Sequence, residues 1–243
     1  MTSPEVREAL ESGVDTVVFA VGSNEQHGPC LPVSTDTILG DELALAVVGR
    51  LEGALKGPTV NLGCSEHHMQ FPGTITLKKG TLQRVLRDYV DSLARQGFRR
   101  IVILPSHGGN FGPISEVTPE LQKTYEDVEI ISYTDLQRFV AIIQETSKGL
   151  GVTIEESGAH AGEAEVSMIM WSRGDLVRGE KIPEARGFMG EFDEGAAETI
   201  FREGIGALSP IGILGDPAKA RSEHGGRYIE DLADAIVDYI GSR

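Results

Sequence analysis

No stretch of this sequence approaches the ~20 consecutive apolar residues that a bilayer-spanning helix takes, and its start lacks the basic, apolar and small-residue order of a secretory leader. A cytoplasmic protein with no membrane partner is the expectation. Cysteine is scarce: Cys30 and Cys64 are the two in the chain and lie outside any CxxC pattern, which excludes a disulfide framework and leaves two reduced thiols. Cys30 has no cationic neighbour in sequence to activate it as a nucleophile. Basic residues are also short, 22 against 37 acidic, for a net charge of −15. Their only clusters are the doublets Lys78-Lys79 and Arg99-Arg100, so no patch suits a phosphate backbone and nucleic acid is excluded as a partner. There is no GxGxxG after the first predicted strand and no Gly-Lys-Ser/Thr, which removes the backbone cradles of dinucleotide and P-loop sites.

What is there is an ordinary globular composition, 40% apolar with 30 glycines over 243 residues, consistent with one domain covering 1–243. Three short apolar, β-branched runs, Thr16 to Val21, Arg100 to Leu104 and Val128 to Tyr133, read as buried parallel strands. Between the first two, Leu82, Val85, Leu86, Tyr89, Val90 and Leu93 recur at helical spacing, as Leu43, Ala46, Val47 and Leu51 do earlier. Ile229, Leu232, Ala233, Ile236, Val237 and Ile240 define a last amphipathic helix, with Ser222 as its expected N-cap. Alternating strands and helices predict a layered α/β fold with a mostly parallel sheet. The Gly-, Glu- and Pro-rich stretch 173–217 lacks a clean period and is expected to be a lid or a subunit contact.

Chemistry-bearing residues collect at strand ends. Glu25-Gln26-His27-Gly28, followed by Asp36, comes just after the first strand, and Ser106-His107-Gly108-Gly109-Asn110 directly follows the second. Ligands of open parallel sheets bind outside the carboxyl ends of strands, so the two groups are predicted to meet. A third group, Gly158-Ala159-His160-Ala161-Gly162-Glu163-Ala164-Glu165, precedes an apolar run. Carboxylates and neutral imidazoles flanked by glycines are what a divalent cation needs. Glu25 and His27, two apart on an extended segment, would point the same way and give one ligand to each of two ions. Asp36 would bridge them, since cations ~3.5–4 Å apart are held together by shared anionic ligands.

Residues two apart on a helix lie ~200° apart around its axis, so only one of Glu163 and Glu165 should face the site. His160 and Glu163, three apart, would share a side. Glu163 is therefore the metal candidate and Glu165 the catalytic or substrate-side residue. His160 is expected to carry the proton to the leaving nitrogen. Ser106, Gly108, Asn110 and His67 are expected around the substrate, whereas His68 and His224 read as structural histidines. The rival reading is a metal- or metabolite-binding module without turnover.

At these residues the sequence resembles the creatininase (creatinine amidohydrolase) family. The matching segments are Glu25-x-His27-Gly with Leu31-Pro32 and Thr35-Asp36, Glu66-His67-x-x-Gln70-Phe71-Pro72-Gly73-Thr74-Ile75, His107-Gly-Gly-Asn110, His160-Ala-Gly-x-x-Glu165-x-Ser167, and Gly212-x-x-Gly215-Asp216-Pro217 with Gly226-Arg227. The resemblance implies a three-layer α/β/α fold and an amidohydrolase acting on a carbon–nitrogen bond. It implies two divalent cations, zinc or manganese with iron an alternative, sharing a hydroxide: Glu25, Asp36 and His107 around one, and His27, Asp36 and a further carboxylate around the other. It also implies a homo-oligomer, often a hexamer. Two departures argue against creatinine as substrate. Gly109 stands where creatinine-hydrolysing members carry the second ion's carboxylate, for which Glu163 is the expected replacement, and Glu156 stands where they have a tryptophan. The His107-Gly-Gly-Asn and His-Ala-Gly-Glu segments look more like the branch of formamidopyrimidine deformylases and the mycofactocin-precursor peptidase. That branch implies a small-molecule or short-peptide amide.

Overall fold

The structure, a computed structural model, describes residues 1–190 and 192–243. Its principal elements in chain order are α1 (Ser3–Glu11), β1 (Thr16–Val21), α2 (Thr35–Val48), β2 (Ala54–Lys56), α3 (Lys79–Gln96), β3 (Arg100–Pro105), α4 (Phe111–Thr124), β4 (Glu129–Ser132), α5 (Leu136–Gly149), α6 (Ile154–Ser157), α7 (Glu163–Arg173), α8 (Glu194–Glu203) and α9 (Ser222–Gly241).

The strands form one sheet in the order β2-β1-β3-β4, every neighbouring pair parallel. Side chains alternate across a strand, and here both faces are covered. Val18, Ala20, Val102, Leu104 and Ile131 enter one core with α2, α7 and α9. Val17, Phe19, Val21, Ile101, Ile103 and Ile130 enter the other, against α3 and α4. The result is a three-layer α/β/α sandwich, and burial on both faces is why the strands read as continuous apolar runs rather than alternating ones. On α3, Leu82, Leu86 and Val90 are fully buried at four-residue intervals, each contributing roughly 1.5–3 kcal/mol of apolar burial.

The strand expected from Val128 is trimmed to Glu129–Ser132, and the helix that follows the His107 segment begins at Phe111. Ser222 takes the first helical position of α9, with Arg221 as the cap residue. The three-residue β2 is too short for a periodicity to announce it. The 173–217 stretch contains α8 between short 3-10 turns. No helix among the described residues is long and apolar enough to cross a membrane.

Val21 pairs with Pro105 at the carboxyl ends of β1 and β3. The loops that follow these two strands therefore start side by side, and that adjacency positions the site.

Candidate metal centre

Seven side chains converge beyond that edge: Glu25, His27, Asp36, His68, His107, His160 and Glu165. Glu25 is pinned by its amide, which donates to the Val33 carbonyl at 2.9 Å, and Asp36 sits in the first turn of α2, where Ser23 Oγ donates to it at 2.6 Å. His27 Nε2 lies 3.4 Å from Asp36 and 3.8 Å from Glu165. His107 Nδ1 lies 3.3 Å from Glu25 and 3.5 Å from Asp36, and His160 Nδ1 lies 3.8 Å from Glu25. Three donor sets within this group, Glu25-His27-Asp36, His27-His160-Glu165 and Glu25-His68-His160, have ligand atoms all within 4.8 Å of one another.

Backbone carbonyls assign the imidazole tautomers. His107 Nε2 donates to the Cys64 carbonyl at 3.0 Å, His27 Nδ1 to the Glu25 carbonyl at 3.1 Å, and His160 Nε2 to the Gln26 carbonyl at 2.8 Å. Each ring thus leaves its other nitrogen facing the carboxylates, the arrangement that outer hydrogen bonds impose on metal-binding histidines. Glycine lets His107 reach this position: a Cβ on Gly109 would stand 2.1 Å from the Cys64 carbonyl oxygen and 2.6 Å from His107 Nε2.

The electrostatics show what the cluster is short of. Burial opposes protonation of His27, but Asp36 and then Glu165 and Glu25 outweigh it and push the ring up to about 10. His107 is likewise pushed up to about 9, burial again being overcome by Glu25 and Asp36. Burial on its own raises the Glu25 carboxyl, yet His107, His68 and His160 hold it well below the usual range. Burial raises Glu165 to about 7, opposed by His27 and aided by Asp36. Burial and the neighbouring His27 push His160 down to about 3.

A divalent cation fits this donor set. Both Glu25 carboxylate oxygens and His27 Nε2 are buried without a hydrogen-bond partner, and a buried carboxylate in that condition costs several kcal/mol unless cationic charge meets it. Mixed imidazole and carboxylate donors suit zinc and manganese.

Several expected residues are placed differently. Glu163 does not face the cluster: Tyr228 Oη donates to it at 2.7 Å, Ser167 Oγ at 2.8 Å, and His224 Nδ1 lies 2.7 Å away. The spacing from His160 misled because 160–162 are not helical; α7 begins at Glu163, Gly162 is extended, and Ala161 has φ 52°. Glu165, turned to the other side of the helix, joins His27, and the Ala161 amide donates to its carboxylate. Ser106 and Asn110 are both engaged with backbone, and Ser106 also lines the cavity. Ser106 Oγ donates to the Asp36 carbonyl at 2.7 Å, while Asn110 Nδ2 donates to the Val21 and Gly22 carbonyls at 3.0 Å and its Oδ1 accepts from the Cys64 amide. Gly108 lines the cavity, as does His67, whose ring stacks on His107 at 5.7 Å and lies 5.0 Å from Phe201.

His68, set aside in the sequence, is part of the site. Its Nε2 is 3.3 Å from Glu25 and its Nδ1 is 3.0 Å from Gln26 Nε2. The signal available was the His67-His68 pair itself: on a 3-10 turn, successive residues point ~120° apart, so one histidine faces the cavity and the other the cluster.

The cluster opens into a cavity of about 240 Å³ bounded by α5, α8 and the loops after β1 and β3. Residues 1–240 match the creatininase (creatinine amidohydrolase) family. The chain is 31% identical over 242 residues to the mycofactocin precursor peptide peptidase of Mycolicibacterium smegmatis, covering 95% of this chain and 86% of that one. It is 30% identical over 196 residues to the creatinine amidohydrolase of Pseudomonas putida, covering 75% and 74%. A crystal structure of a creatinine amidohydrolase superposes with a TM-score of 0.79 at 25% identity, covering 100% of this chain and 95% of that one. The similarity to the peptidase thus extends over more of the chain than the similarity to the Pseudomonas creatinine amidohydrolase. With the family matched across nearly its whole length and its fold shared, this chain belongs to the creatininase family.

Proposed function

We propose that this protein is a metal-dependent hydrolase of one domain, 1–243, that cleaves the carbon–nitrogen bond of an acyclic amide, a peptide in particular. The observation that carries this reading is the buried, unpartnered Glu25 carboxylate facing imidazoles whose tautomers are fixed from behind. Similarity to the Mycolicibacterium peptidase over 95% of the chain supports a peptide bond over creatinine. In this reading Glu25, Asp36 and His107 would hold one zinc or manganese ion, and His27, Asp36 and Glu165 a second; such cations would supply Lewis acidity for the amide carbonyl and ready ionisation of water near neutral pH.

The chain's own part is proton handling and placement. His160 Nε2 is committed to the Gln26 carbonyl, so Nδ1 faces the cluster with a free lone pair. Burial and His27 depress its proton affinity, so it would hold a proton from the attacking water only briefly before handing it to the leaving nitrogen. The water oxygen ends on the acyl carbon, the C–N bond breaks, and a carboxylic acid and an amine leave. Glu165 is the exposed member of the carboxylate set, its side chain 22% accessible against 0% for Glu25 and 3% for Asp36, so the substrate is expected to approach from its side.

The test is to strip the protein of metal, reload it with zinc or manganese, and assay short peptides and simple amides by mass spectrometry. Metal-dependent release of an amine supports the reading. A fully loaded protein that hydrolyses no amide rejects it in favour of a binding module.

A further inference from the structure

The walls of the cavity beyond the cluster are largely apolar, with Gln144 the polar group that α5 adds. α5 contributes Phe139, Val140 and Ile143, while α8 contributes Ile200 and Phe201, with Phe192 just before it. Phe192 and Phe201 are 45% and 66% exposed. No lysine or arginine lines the cavity among the described residues. The arginines carried by these two helices are turned elsewhere: Arg138 pairs with Glu145 at 3.1 Å, and Arg202 with Glu203 at 2.7 Å. A phosphate or a side-chain carboxylate brought between α5 and α8 would lose its hydration with no cationic side chain to replace it. At about 240 Å³, the cavity is smaller than the ~300–1,000 Å³ of sites that enclose drug-sized ligands. It suits a reacting amide with one adjoining side chain rather than a nucleotide.

Resting on the amide-hydrolase reading above, we infer that the space between α5 and α8 is a side-chain subsite for an uncharged apolar residue adjoining the scissile bond, and that phosphorylated amides are rejected. Phe201 is its principal determinant, because it lines the cavity and leaves apolar surface that an entering side chain would cover. His67, 5.0 Å from the Phe201 ring, forms the boundary between this subsite and the metal donors.

Zinc-loaded protein is titrated with two chelating probes that differ only by a benzyl group, acetohydroxamate and 3-phenylpropanohydroxamate, alongside hydrolysis of a peptide set with Phe, Leu, Ala, Asp or phosphoserine at the varied position. Burying an aromatic side chain should tighten binding by roughly 10- to 100-fold over acetohydroxamate. Phe201→Ala should erase most of that difference while leaving bound zinc and acetohydroxamate affinity unchanged. Phe201→Arg should shift cleavage toward the Asp and phosphoserine peptides. Equal affinity for the two probes, or a Phe201→Ala protein that still distinguishes them fully, overturns the subsite even if amides are hydrolysed. Tight side-chain-dependent binding without turnover of any peptide upholds the subsite and rejects only the hydrolase.

Discussion

The Tyr228 hydroxyl donates a 2.7 Å hydrogen bond to Glu163 and lies 2.8 Å from Ser147 Oγ, which in turn donates to Ser157 Oγ at 2.8 Å. One buried chain of polar groups thus ties α9 and α5 to the end of α6, three residues before His160. Glu163 is the acceptor end of that chain, and Glu165, two residues on, lies among the candidate metal donors. The two carboxylates are expected to separate cleanly by substitution. Glu163→Ala leaves the Tyr228, Ser167 and His224 donors unmatched and should cost about 3 kcal/mol in chemical denaturation, with the remaining folded protein still binding metal. Glu165→Gln should leave stability within about 1 kcal/mol and lower bound metal from near two toward one mole per chain by elemental analysis. Equal metal loss in both variants would contradict the assignment.

Glu25 is the donor that no hydrogen bond satisfies. Glu25→Gln removes the charge with little change of shape, so activity should fall by roughly 10³-fold or more and bound metal should fall with it. Full metal content in that variant would place the ion elsewhere.

His160 is predicted to act on the proton rather than on the metal. In His160→Asn, kcat should drop by roughly 10²- to 10⁴-fold while metal stoichiometry stays that of the parent. Loss of metal in this variant would make His160 a ligand instead.

Gly109 has to be a glycine because the Cys64 carbonyl oxygen and His107 Nε2 already occupy the space of a Cβ. Gly109→Ala should displace the His107 ring, break its 3.0 Å bond to Cys64 and weaken metal affinity by roughly 10- to 100-fold, read by competition with a chromophoric chelator.

Removing the cations should also lower thermal stability, since an ion bound only by the folded chain adds about 2.7 kcal/mol at a hundred times its dissociation constant. The Tm should rise with added zinc in the parent and be insensitive to it in Glu25→Gln.

The apolar runs of β1, β3 and β4 and the four-residue recurrence on α3 were legible in the sequence, because burying both faces of a parallel sheet leaves a strong compositional trace. So was the meeting of Glu25 and His27 with His107, which follows from consecutive positions at strand carboxyl ends. What the sequence could not settle was direction within short irregular segments. Glu163 and Glu165 are chemically interchangeable in the text of the chain, and the choice turns on where α7 starts. The hydrogen bonds of Ser106 and Asn110 to Asp36, Val21, Gly22 and Cys64 join segments remote in the chain. His68 becomes visible only when its turn aims it at Glu25.

By itself, then, the sequence determined the layered fold and the donor chemistry, because periodicity and residue type are local properties of the chain. Only the tertiary structure decided which carboxylate turns inward, which imidazole nitrogen is free, and what lines the approach to them. Those depend on the helix phase set by Ala161 and Gly162, on carbonyls of remote segments, and on α8 folding back across the strand ends, none of which neighbouring residues encode.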